Sequence, residues 1–169
     1  MDRINKTAGY TLIELLLYIT LAGMLLVSLT MFFGMSVDAR VKTQSVTEVN
    51  QQGASAMEYI QQTVRNASSI SAPAAAASAS SLTVVVPTAS LSPTIFSLNG
   101  TVLQVKEGTA AAIALTNDDV QITNLTFTNL TRSGTDGVVR ISFTVSRTNT
   151  SGRNEYDYSK TFTTTVAIR

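Results

Sequence analysis

The chain contains no cysteine, no histidine and no tryptophan, and only three prolines, among its 169 residues. Without cysteine there is neither a disulfide framework nor a thiolate metal site. Without histidine the commonest general base and metal ligand is missing, and no glycine-rich phosphate loop, HExxH pair or nucleophile elbow stands in for it. Asp118, Asp119, Asp136 and Asp157 offer carboxylate oxygens, but at spacings that fit no calcium loop, and they read as turn residues. No catalytic residue, cofactor or metal site is expected, so the sequence does not read as an enzyme. Charge is also scarce, at 14% of residues with a net value of +1. Beyond residue 9 the basic and acidic side chains balance at ten each, which argues against a nucleic-acid platform built on bulk charge.

Hydrocarbon is abundant in one place. The stretch GYTLIELLLYITLAGMLLVSLTMFFGMSV, residues 9–37, holds no basic residue and a single carboxylate, Glu14. As a helix, the 28 residues from Tyr10 to Val37 would reach about 42 Å, more than the roughly 30 Å of a bilayer core. A carboxylate at membrane depth costs on the order of 2.5–3.5 kcal/mol and is by default a functional residue. An ordinary secretory signal places a small-residue cleavage site after its apolar run. Here the polar, basic leader MDRINKTAG, with Arg3 and Lys6, comes first and ends at Gly9.

A short basic leader ending in Gly9, then Tyr10, then Thr11-Leu12-Ile13-Glu14-Leu15 and a long apolar run, resembles the type IV prepilins and their pseudopilin relatives. The more usual residue at the position of Tyr10 is Phe. The resemblance implies a leader at residues 1–9, cut by a membrane-embedded prepilin peptidase between Gly9 and Tyr10, with Tyr10 then N-methylated. It implies a membrane and assembly helix over residues 10–37, in which Glu14 of one subunit neutralises the Tyr10 amine of a neighbour. Partners would be the peptidase, other pilin subunits and an assembly platform. The precursor would sit in the inner membrane with its N-terminus cytoplasmic before joining a periplasmic or cell-surface filament. Orientation rests on the motif, because Arg3 and Lys6 before the segment are balanced by Arg40 and Lys42 after it.

Past Val37 the pattern changes. Val46, Val49, Gly53, Met57, Ile60, Val64 and Ala67 recur in steps of three and four, the mark of one apolar helical stripe, so residues 38–70 are expected to continue the helix. Gly23 and Gly34 are its expected weak points, since Gly costs about 1 kcal/mol against Ala in a helix. The low-complexity residues 71–81 are expected to be a surface linker after a helix that ends at or before Pro73. Residues 82–169 then read as a sheet domain. Leu82–Pro87 is one strand. Thr94–Val105 is a hairpin around Asn99-Gly100, with Phe96, Leu98, Leu103 and Val105 on one face. Val120-Ile122 and Leu125-Phe127 fall out of phase, which implies a bulge near Thr123-Asn124. Val139, Ile141, Phe143 and Val145 alternate with outward Arg140, Ser142 and Thr144, and Phe162, Thr164, Val166 and Ile168 share a face of the last strand. The expected fold is α+β: a long N-terminal helix packed on a mainly antiparallel sheet, as the pilin resemblance also implies.

A structural filament subunit is therefore the leading expectation. A minor pilin is favoured over a major one, because the disulfide-closed C-terminal region of many major pilins has no counterpart here. A type II secretion or competence pseudopilin is the alternative. A membrane-anchored binding module that never polymerises is a third reading, carried by Arg147, Arg153, Tyr156 and Tyr158 near one loop. Six Asn-x-Ser/Thr triplets, at Asn5, Asn66, Asn99, Asn124, Asn129 and Asn149, are read as the chance product of a chain rich in these residues.

Overall fold

The computed structural model describes residues 9–169, so Arg3, Lys6, Asn5 and the rest of the expected leader before Gly9 lie outside the described residues. The chain divides into two compact units, Met1–Arg40 and Val41–Arg169. One helix, α1, runs from Leu12 to Arg65 and contributes to both.

In the first unit α1 starts at Thr11-x-x-Glu14, the sequence signature of a capping box, of which the N-cap half is formed. Thr11 Oγ1 accepts the Glu14 backbone N–H at 3.3 Å, and the Thr11 carbonyl accepts the N–H of Leu15 at 3.1 Å. The first of these satisfies a first-turn donor that the helix itself leaves orphaned, and the second is the first i→i−4 bond of the helix. The helix continues through Gly23 and Gly34 without interruption. Hydroxyls within the apolar run bond back to their own helix: Thr20 to the Leu17 carbonyl at 2.9 Å, Ser28 to that of Met24 at 2.9 Å, and Thr30 to that of Leu26 at 3.0 Å.

In the second unit the buried face of α1 is formed by Ser45, Val49, Gly53, Ala56, Met57, Ile60 and Val64; it follows the expected stripe except that Ser45 replaces Val46, which is half-buried, that Ala56 joins it, and that buried Ala67 lies past the helix end. The helix stops at Arg65, short of the expected residue 70. Its end is set by the sheet rather than by a proline: the Ser68 N–H bonds the Val85 carbonyl at 2.7 Å, which draws Ser69–Ala72 into strand β1. Residues 71–81 are likewise no free linker. They hold the end of β1 and a short strand β2, Ser78–Ala79, and Pro73 is buried. The buried amide of Asn129 ties the segment down through Nδ2 to the Pro73 carbonyl at 2.8 Å. Backbone bonds between Asn129 and both Ala76 and Ala77 complete the strap.

The remaining strands are β3 (Leu82–Val85), β4 (Thr94–Asn99), β5 (Val102–Glu107), β6 (Ile113–Ala114), β7 (Val120–Asn129), β8 (Val138–Arg147) and β9 (Ser159–Ala167). They form two antiparallel sheets rather than one, ordered β1-β3-β4-β5-β6 and β2-β7-β8-β9. In the β4–β5 hairpin Asn99 pairs with Val102, Leu98 with Leu103 and Phe96 with Val105. The two turn residues are thus Gly100 and Thr101, one position later than the Asn-Gly signal suggests. Gly100 has φ +63° and takes the first central position, where a II′ turn requires glycine. The shared face is unchanged, because moving the turn by one residue shifts the pairing by two. The bulge in β7 lies between Thr123 and Thr126, with Asn124 at φ +53°, a conformation Asn tolerates better than most residues. It brings Leu125 back to the buried side beside Ile122 and Phe127.

The core closes where the α1 stripe meets both sheets. Ile60 and Val64 join Leu82, Phe96 and Leu103 from one sheet and Phe127, Ile141 and Phe143 from the other, all fully buried. The class is α+β, as expected. Gly53 has a specific reason to be glycine, since a Cβ there would run into the Phe162 ring, which is itself stacked on Phe143 at 5.7 Å between centroids.

Candidate functional site

The large apolar residues from Leu12 to Met35 are each more than half exposed. So extended an apolar surface marks a membrane or an interaction site. Among the described residues α1 is the one helix long and apolar enough to cross a membrane. The hydroxyls of Thr20, Ser28 and Thr30 already satisfy themselves on helix carbonyls, as a hydrocarbon environment requires.

Five residues mark the start of this helix. Gly9 and Tyr10 are exposed and precede the first helical turn. A Cβ at Gly9 would meet nothing within 4 Å, and Gly9 is not among the glycines with positive φ. No demand of the fold therefore explains a glycine there. Glu14 lies one turn into the helix, half-buried among exposed neighbours, in the first turn where the helix dipole favours a negative charge. The Tyr18 hydroxyl donates to Glu14 Oε1 at 3.3 Å, and the Tyr18 ring meets that of Tyr10 edge to face, 6.3 Å between centroids and 82° between planes. Tyr18 thus links Tyr10 and Glu14 at the helix start, through its ring to the one and its hydroxyl to the other. The structure adds Thr11 and Tyr18, which sequence reasoning passed over. Both had a local signal: Thr11 opens a T-x-x-E capping box, and Tyr18 follows Glu14 by the four residues that place side chains in contact on a helix.

The other candidate residues belong to the second unit. Arg147 pairs with Asp119 at 3.6 Å, Arg153 with Glu155 at 3.2 Å, and Tyr158 packs against the core. Asp157 Oδ1 accepts from Asn149 at 2.8 Å, and the Asp157 carbonyl accepts from Lys42 Nζ at 2.6 Å. The loop that carried the binding-module reading thus spends most of its polar groups on its own protein. Tyr156 is half-buried in the same loop. Asp118 contributes its carbonyl to the Thr148 hydroxyl at 3.0 Å, while Asp136 lines a cleft of about 340 Å³ beside Asn129 and Ile168. Among the described residues no three His, Cys, Asp or Glu side chains converge as a metal site would need.

The chain matches no protein-family model, no curated protein and no solved structure.

Proposed function

We propose that this chain is a structural subunit of a type IV pilus-like filament, a minor pilin, held in the inner membrane by the apolar part of α1 until it is extracted into the fibre. The observation that carries the reading is Glu14, the one charged residue between Gly9 and Val37, set at the start of a helix whose large apolar side chains are exposed. A lone carboxylate in hydrocarbon is costly, whereas one paired with a cation in a low-dielectric interface is far less so. On this reading the prepilin peptidase cuts between Gly9 and Tyr10, which accounts for a glycine that the fold does not require. Tyr10 becomes the N-methylated first residue, and its amine meets Glu14 of the next subunit. The α+β organisation of the second unit supports the same reading. A pseudopilin of a type II secretion or competence system would use the same residues in a different machine.

The test is mass spectrometry of protein recovered from its host, together with Glu14→Gln. A mature chain beginning at N-methyl-Tyr10 is expected. Glu14→Gln should insert and be cleaved normally, because a neutral amide is cheaper to bury than an ion. It should fail to enter sheared filaments, because the neighbour's amine is left without a counter-charge, a loss of about 3–5 kcal/mol. A filament-associated chain still starting at Met1, or wild-type incorporation of Glu14→Gln, overturns the proposal.

A further inference from the structure

Glu14 has two carboxylate oxygens, and Oε1 is engaged within its own helix. The Tyr18 hydroxyl donates to it at 3.3 Å, across the four-residue spacing that sets side chains face to face on a helix. Two further contacts hold the pair. Thr11 caps the Glu14 backbone N–H at 3.3 Å, fixing the turn from which the carboxylate projects. Tyr10 packs edge to face on the Tyr18 ring at 6.3 Å, limiting where the phenol can swing. In a hydrocarbon setting neither the phenol O–H nor the carboxylate has water to turn to, so their bond relieves two polar groups at once. Among the described residues no bond is made to Oε2, so it can take a second, stronger donor.

We infer that Tyr18 is the positioning residue of the assembly site: its hydroxyl holds Glu14 by Oε1 so that Oε2 is presented to the amine of the incoming subunit. This rests on the filament reading above and adds to it a residue outside the Gly9–Glu14 signature. Before assembly the phenol is the resident donor that makes the unpaired carboxylate tolerable. After assembly it remains as one of two donors, so the carboxylate need not turn to accept the amine. The alternative is that the Tyr18 ring merely packs against Tyr10, and the two roles predict opposite orders of variants.

Tyr18→Phe keeps the ring and removes the donor. Tyr18→Gln removes the ring and keeps a donor that reaches Glu14 at the same spacing. Both are expressed as full chains in the native host, and the sheared filament fraction is divided by the amount of processed protein. The loss of a hydrogen bond to a charged group predicts incorporation of Tyr18→Phe about tenfold below wild type, with Tyr18→Gln restored to within about threefold. Wild-type behaviour of Tyr18→Phe with depletion of Tyr18→Gln assigns the residue to packing and overturns the inference. Equal depletion of both variants, or wild-type behaviour of both, overturns it as well. Glu14→Gln run in parallel separates the two levels. If Glu14→Gln is depleted and Tyr18→Phe is not, only the role of Tyr18 falls. If Glu14→Gln incorporates normally, the pairing of Glu14 falls and takes this inference with it.

Discussion

The two stretches of α1 share a backbone geometry and differ in where their side chains find partners. From Leu12 to Arg40 no residue is buried, whereas from Ser45 to Val64 seven are. Side-chain hydrogen bonds differ in reach between the two stretches. Those of Glu14, Thr20, Ser28 and Thr30 stay within four residues on the helix. The second stretch makes local bonds of the same kind, such as Ser45 to the Val41 carbonyl and Thr63 to that of Tyr59, and adds bonds that cross the fold: Lys42 to the Asp157 carbonyl at 2.6 Å, Asn50 Oδ1 from Lys160 at 2.7 Å, and Tyr59 to Glu107 at 2.9 Å. The lesson is that the second stretch has its partner in its own chain, while the large apolar side chains of the first are exposed. A continuous hydrocarbon surface suits a solvent of lipid or like helices, and a one-sided stripe suits a core.

The sharpest way to break this comparison is to cut between the regions. A chain beginning at Asp38 should lose all membrane association and remain soluble, monomeric and mixed in helix and strand, as read by membrane fractionation, gel filtration and circular dichroism. Insolubility or loss of strand signal would show that the second unit depends on the first. Single residues give the next largest contrast. Phe143 is fully buried and stacked on Phe162, so Phe143→Ala should cost about 3–5 kcal/mol in urea unfolding of the soluble fragment. Phe32 is 73% exposed, and Phe32→Ala in the full chain should leave that unfolding transition where it was.

Glycines divide the regions by sign. At Gly53 an added Cβ would strike the Phe162 ring, which is stacked on Phe143 and has the Lys160 ammonium 5.1 Å from its centroid. Overpacking of about 1–3 kcal/mol outweighs the roughly 1 kcal/mol of helix propensity gained, so Gly53→Ala should destabilise the fragment by about 1–2 kcal/mol in urea. At Gly34 a Cβ meets open space and only propensity remains. Gly34→Ala in micelles should slow amide exchange around residues 31–37 by about fivefold. An equal sign at the two positions would mean that the contrast between core face and outer face is misdrawn.

Much of this was readable from local pattern. The alternation Val139-Ile141-Phe143-Val145 and the stripe from Val49 to Val64 each repeat with the period of their element, and each is buried as that period requires. The bulge at Asn124 announced itself as a phase slip. What escaped is what depends on distant partners. Apart from Pro73, residues 71–81 are Ala and Ser with no apolar pattern, and their order comes from an Asn129 side chain 56 positions beyond Pro73. The division into two sheets is of the same kind, since β1 joins β3 while β2 joins β7. The hairpin register moved because a glycine with positive φ serves a II′ turn as well as it serves Asn-Gly. At the helix start the reverse held: Gly9, Tyr10 and Glu14 stood out as a motif, while Thr11 and Tyr18 were missed although their contacts are the most local in the site.

The smallest effect concerns a hydroxyl that ties α1 to the five-stranded sheet. Tyr59 packs edge to face on buried Phe96 at 6.2 Å and donates to Glu107 Oε1 at 2.9 Å. Burial first, then the Glu107 hydrogen bond and its negative charge, push the Tyr59 hydroxyl above its ordinary value of 10.0. In the unfolded chain the phenol therefore ionises at lower pH than in the folded one. Its contribution to stability is fully present below about pH 10 and is lost as pH rises through the higher folded value. Tyr59→Phe keeps the ring contact and removes the titrating group. Near pH 7 it should cost no more than about 0.5–1 kcal/mol, the net worth of one hydrogen bond at a partly exposed site. The informative quantity is the gap between wild type and variant in urea unfolding of the soluble fragment from pH 8 to pH 11. The other tyrosines and the lysines titrate in both proteins and cancel in that difference. The gap should hold steady up to about pH 10 and narrow above it. A gap that stays constant or widens across the range would show that the Tyr59–Glu107 contact does not form in solution, and that this end of α1 is held by its apolar stripe alone.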